Sequence, residues 1–66
     1  MYHVFFSQRT TEGVTSDTVD YQTLTEAKSR MHTELAQVGI AASLTMVSAM
    51  VFTDECSVLA TGSESV

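Results

Sequence analysis

"GIAASLTMVSAMVF", residues Gly39 to Phe52, is the least polar stretch of the chain, and its backbone conformation decides the fold. Crossing a bilayer takes about 20 mostly apolar residues. This run is shorter and carries Ser43, Thr45 and Ser48, so no membrane span is expected. The segment before it, Thr23 to Gly39, reads as a helix. Thr23 and Glu26 have capping-box spacing, which starts the helix at Leu24. Leu24, Ala27, Met31, Leu35 and Val38 then recur every three or four residues as one apolar stripe, with Leu35 as its buried centre. Glu26, Arg30 and Glu34 lie four apart on another face. Gly39 can adopt the left-handed conformation that closes a helix, with Ile40 folding back on the last turn. The apolar run therefore does not continue that helix. Val47, Val51, Phe52 and Thr53 favour extended backbone, and turn-forming "TDEC" follows, so Leu44 to Thr53 reads as a strand.

Side chains alternate faces along a strand. Leu44, Met46, Ser48, Met50 and Phe52 point one way; Thr45, Val47, Ala49, Val51 and Thr53 point the other. After Asp54 and Glu55, "CSVLATGSES" returns antiparallel, although its turn lacks the glycine that hairpins favour. At the other end, "YHVFFSQ" reads as a strand and "TTEG" as a turn with Gly13 at positive φ. A weaker second strand runs from Val14 to about Tyr21, with the two aspartates of an exposed edge. The fold class is α+β, in the order ββαββ. A four-stranded, mainly antiparallel sheet carries one helix packed on one face, all in a single small domain spanning residues 1–66. One helix covers one side. The reading leaves Thr45, Val47, Ala49 and Val51 on the open side, as an interface that joins two copies, with pairing through an edge strand as the other route to a homodimer.

Size and composition favour such an association. A chain of 66 residues buries only about 60% of its unfolded surface, and a second copy would add to its core. With 44% hydrophobic and 17% charged residues, it lies outside the composition of disordered chains. Eight acidic residues against three basic ones give a net charge of −5, and Arg9, Lys28 and Arg30 form no basic run. Nucleic-acid binding, which depends on clustered Lys and Arg, is therefore not expected. The single Cys56 excludes an internal disulfide and suits a reducing cytoplasm, and the N-terminus lacks the pattern of a secretory signal.

No motif marks an enzyme, metal centre or cofactor site. Asp54, Glu55 and Cys56 are adjacent in a turn, where neighbours rarely converge on one ion. Cys56 has acidic neighbours that disfavour a thiolate and reads as a small packing residue. His3 and His32 have no short-spacing partner and read as surface or boundary residues. Met31, Met46 and Met50 read as core filling rather than as an adaptable binding surface. Glycine loops and serine-nucleophile motifs are absent from the sequence. The layout from the first hairpin through "LTEAKSRMHTEL" to the last, and the "EAKS" and His32 portion of the helix above all, resembles small uncharacterised proteins of phages and prophages of Gram-positive bacteria. That resemblance implies a compact cytoplasmic accessory protein and transfers no site residues; the interaction module is expected to contact a host or phage protein through its apolar face or an open strand edge. Two alternatives stand beside a self-associating module. One is a small-ligand pocket at the seam between copies, near His3, Tyr2 or Tyr21. The other is an acidic inhibitor that mimics nucleic acid by gathering its carboxylates on one side.

Overall fold

The computed structural model describes residues 1–65. The strands are β1 (Tyr2–Thr10), β2 (Gly13–Tyr21), β3 (Leu44–Thr53) and β4 (Val58–Ser65), and the helix α1 is Leu24–Leu35. All neighbours are antiparallel, in the order β2-β1-β3-β4. β1 therefore lies between β2 and β3, which run parallel, and α1 is the crossover connecting them. The expected α+β, ββαββ architecture with one helix on a four-stranded sheet is what the chain forms. It is thin and elongated, with extents of 34 × 18 × 14 Å.

Local chemistry places each element. Thr23 caps α1: its Oγ1 accepts from the Glu26 N–H at 3.2 Å, while its hydroxyl donates to Glu26 Oε1 at 2.8 Å. The helix ends earlier than the apolar stripe suggests. Its C-cap is Ala36, and tight turns carry the chain on through Gln37 N–H to Glu34 O and Val38 N–H to Leu35 O. Gly39 does take φ +93°, but inside the following turn. Ile40 is 74% exposed instead of folding back. In the first hairpin Gly13 has φ +140°, where a side chain would be strained. In the last hairpin the position that usually wants glycine holds Cys56, at φ +64°. There the Cys56 N–H donates to Thr53 O at 2.9 Å and the Thr53 N–H to Ser57 O at 3.0 Å. The thiol is exposed, so Cys56 is a turn residue and fills no core space.

The core is built from Val4 and Phe6 of β1, Ala27 and Met31 of α1, and Ala49 and Val51 of β3. Val47 is also fully buried. This overturns the expected face assignment. The side of β3 carrying Val47, Ala49 and Val51 lies under the helix, and the side carrying Met46, Met50 and Phe52 is the open one. Close approach of the helix is the physical reason. Across from β3, the covered side of β4 presents Ala60 opposite Val51 and Gly62 opposite Ala49. A Cβ built on Gly62 would stand 2.7 Å from Leu35 Cδ1, so small residues let the helix settle onto the sheet. Thr45 belongs to neither ladder. It is the extra residue of a bulge, because Arg9 pairs with Met46 and Thr10 with Leu44, and its hydroxyl donates to Arg9 O at 3.1 Å. The bulge returns Leu44 to the covered side at 6% exposure. A second bulge at Leu59 puts Ala60 on the covered side and Val58 on the open one.

One buried carboxylate closes the layer between helix and sheet. Glu34, 9% exposed, accepts from Arg30 Nε at 2.7 Å and from Gln8 Nε2 at 3.0 Å. Arg30 also donates to the Tyr21 hydroxyl at 3.2 Å and lies 5.2 Å from the Phe6 ring centroid. The four-residue charge spacing on the helix thus encodes a structural clamp rather than solvated charge alone.

Candidate functional site

Residues directly opposite in adjacent strands share a face, so the three registers define the uncovered surface row by row. At one end lie Asp20, His3, Phe52 and Val58. The next row is Thr18, Phe5, Met50 and Thr61. The third is serine in all four strands: Ser16, Ser7, Ser48 and Ser63. The fourth is Val14, Arg9, Met46 and Ser65. Phe5, Met50 and Phe52 are half-buried against one another's strands, while Val14, Met46 and Val58 are 62%, 38% and 55% exposed. The face is therefore an apolar ridge beside a hydroxyl-lined trough. The trough deepens into a hollow lined by Ser7, Ser48, Arg9, Val14 and Met46.

Of the expected interface of Thr45, Val47, Ala49 and Val51, the last three are buried on the covered side and Thr45 is held in the bulge, so none of them is in the four rows of this surface. Two of the three methionines read as core, Met46 and Met50, are on the open side; only Met31 is in the core, at 4% exposure. Tyr2 and Tyr21 face the helix side, packed against the core. The structure therefore does not bring them together with His3 at a common seam. His32 is exposed on the helix, across the sheet from His3.

His3 holds the strongest polar arrangement on the face. Its Nδ1 lies 2.7 Å from Asp20 Oδ1 and its Nε2 lies 2.6 Å from Asp54 Oδ1, while the ring is tilted over Phe52 with centroids 5.1 Å apart. The Met1 amino group donates to Asp54 Oδ2 at 2.9 Å. Two carboxylates on the two ring nitrogens favour the imidazolium, which donates to both. The His3 pKa is accordingly raised, first by the hydrogen bond to Asp20 and then by that to Asp54, against a smaller lowering from desolvation. The carboxylates sit on opposite edges of the ring and cannot converge on one ion. Among the described residues no group of three His, Cys, Asp or Glu could hold a metal.

A consequence for stability follows from the raised value. A proton bound more tightly in the folded state stabilises the fold most fully below the ordinary histidine value of about 6.5. That contribution is lost as pH rises through the raised folded value, when neutral His3 keeps one N–H and can donate to only one carboxylate. Asp20, Asp54 and the Met1 amine are the charged groups around the ring. The melting temperature is expected to fall across the mildly acidic to mildly alkaline range, and His3→Gln to flatten that slope. An unchanged slope in the variant would remove His3 as its source.

On the helix side, a wide shallow groove is lined by Tyr21, Thr25, Glu26, Ser29, Arg30 and Thr33. Its one cation is committed to Glu34, Tyr21 and Phe6, so the groove offers no free cation for a ligand. Among the described residues no helix is long and apolar enough to cross a membrane. Comparison with protein-family models, curated proteins and solved structures gives no match to the chain.

Proposed function

We propose that the chain is a non-enzymatic interaction module that associates with a second copy through its uncovered sheet face. In this reading it is a cytoplasmic accessory protein of the phage or prophage type, and the dimer is the form that meets a host or phage protein. The observation that carries self-association is the apolar content of that face. Val14, Met46 and Val58 are exposed around the half-buried Phe5, Met50 and Phe52 on either side of the serine row, and so many apolar groups on one face of so small a domain favour a partner that covers them. Four strands about 4.8 Å apart and roughly 3.3 Å per residue give each copy a face of about 500 Å². Two such faces bury about 1,000 Å², at the small end for specific interfaces, so the dimer is weak and concentration-dependent.

The other readings draw less support. His3 and the tyrosines lie on opposite sides of the sheet, so a ligand pocket at a seam between open faces would draw on His3 and not on Tyr2 or Tyr21. The acids are divided between faces and ends: Asp20 is on the open face, Asp17 and Glu64 are on the covered side, and Glu12 and Asp54 are in turns at opposite ends. Such a distribution offers no one-sided anionic surface for mimicry of nucleic acid. Edge pairing is the closest competitor. On β2 the Thr18 N–H already donates to its neighbour Asp17 Oδ1 at 2.8 Å, which blunts that edge and leaves β4 as the freer one.

Sedimentation equilibrium is expected to show a two-chain mass at high micromolar concentration. Met50→Asp should return it to one chain without changing the circular dichroism. A single-chain mass throughout overturns self-association; a dimer indifferent to Met50→Asp moves it from the face to the β4 edge.

A further inference from the structure

The row pattern distinguishes two ways of stacking the open faces about a two-fold axis that lies between them, and the following rests on the self-association proposed above. With the axis parallel to the strands, each row meets itself. The Phe5 and Met50 ridge would then press on its own copy, and the serine trough would face an equal trough. That arrangement leaves a void and brings the two Arg9 side chains within one strand spacing, about 4.8 Å, of each other in a row without a carboxylate. With the axis parallel to the rows, their order is reversed from one copy to the other while each strand still lies over its counterpart. Phe5 then lies over Ser7, Met50 over Ser48, Phe52 over Met46 and Asp20 over Val14, all by register. Large side chains fill the space above small ones. The exposed Met46 is covered by an aromatic ring, a favourable partner for a thioether.

Charge points the same way. Among the described residues the Arg9 guanidinium has no ion pair, whereas the Arg30 cation is committed to Glu34. Reversed stacking brings Arg9 directly over His3, whose imidazolium is already neutralised by the carboxylates of Asp20 and Asp54, with Asp20 on the adjacent strand of the same row. Asp20 uses only Oδ1 on His3, and its Oδ2 has no partner among the described residues. One strand spacing of about 4.8 Å separates Asp20 from the point directly opposite Arg9, well within reach of an arginine side chain. Glu12 lies in the turn beyond the last row, outside the stacked area.

We propose that two copies stack head to tail, the Phe5 and Met50 ridge of each lying in the serine row of the other and Arg9 of each pairing with Asp20 of its partner. The two-fold makes the pair occur twice. Because each pair is shielded at a closing interface, Arg9→Asp is expected to raise the dimer dissociation constant about tenfold or more. Asp20→Arg should do the same, and the double variant, with the charges exchanged, should return it to within about threefold of the original. Asp20→Arg also removes a bond to His3, so the folded fraction of each variant is measured alongside by circular dichroism.

Mixing one isotope-labelled and one unlabelled population of the unaltered chain gives a second readout that needs no substitution. Intermolecular nuclear Overhauser contacts are expected from Phe5 and Met50 to Ser7 and Ser48. Contacts between Phe5 of one copy and Met50 of the other, in a protein that still dimerises, overturn the head-to-tail arrangement and leave self-association intact. Failure of the charge exchange to restore a dimer that both single variants weaken overturns the Arg9 to Asp20 pairing. Absence of any dimer overturns both proposals.

Discussion

Val47→Asp is expected to unfold the protein. Val47 is fully buried on the covered side of the sheet, in register with Gln8 on one side and Glu64 on the other. An aspartate there would place a carboxylate where no cation waits, with Glu64 of the same charge on the neighbouring strand. Removing an unpaired charge from water costs several kcal/mol even after relaxation. A chain of 66 residues has only about 3–10 kcal/mol to lose, at roughly 0.05–0.15 kcal/mol per residue. Far-ultraviolet circular dichroism should therefore show lost structure at neutral pH. Met50→Asp is the contrasting change three residues away. Its side chain is on the open face and half exposed, so its cost to folding should be about 1 kcal/mol. A Val47→Asp protein that keeps its dichroism would reverse the assignment of faces. So would a Met50→Asp protein that loses it.

Why the apolar run divides its faces this way was only partly legible in the sequence. Its extended conformation was, since Gly39 stops the helical pattern and the β-branched content from Val47 onward favours a strand. The capping box at Thr23 and Glu26 fixed the start of α1 to the residue. Which side of β3 faces the helix depends instead on comparing sizes across strands. Leu44, Met46, Met50 and Phe52 are the larger set, and size alone favours them for the core. The opposing clue lies in β1, where His3, Ser7 and Arg9 share a phase with Phe5 while Val4 and Phe6 share the other. A core cannot accommodate His3 and Arg9, so the phase of Val4 had to be inward. Transferring that conclusion to β3 requires the register that pairs Val4 with Val51, and two bulges obscure it in the sequence. Thr45 and Leu59 each add a residue that reverses the alternation at one end of a strand. The His3 arrangement was hidden for a related reason. Asp20 and Asp54 stand 17 and 51 residues away, and only the completed sheet and its last turn bring them to the ring.

Met31→Ala is the second change with a large expected effect, and it also tests how the helix meets the sheet. The spacing of the apolar stripe makes Leu35 its centre, but Leu35 is the last residue of α1 and only partly buried, whereas Met31 is 4% exposed within the core. Truncating a buried Met to Ala should cost about 2–5 kcal/mol, because the transfer free energy is lost and the surrounding side chains close the cavity incompletely. For a domain of this size the melting temperature should drop by ~10 °C or more. Leu35→Ala should cost less, about 1–2 kcal/mol, since its end of the helix is closer to solvent. The two positions differ in a way that a double substitution exposes. Leu35 reaches over Gly62, where an added Cβ would lie 2.7 Å from Cδ1. Gly62→Ala alone should therefore cost about 1 kcal/mol as Leu35 is forced aside. Combined with Leu35→Ala, the new methyl group occupies space that the shortened side chain has vacated, and the pair should cost about 1 kcal/mol less than the sum. Met31→Ala combined with Gly62→Ala should instead be additive. Urea midpoints for the three single and two double variants measure both couplings, and additivity at Leu35 and Gly62 would mean that the absence of a side chain at position 62 is not what lets the helix settle.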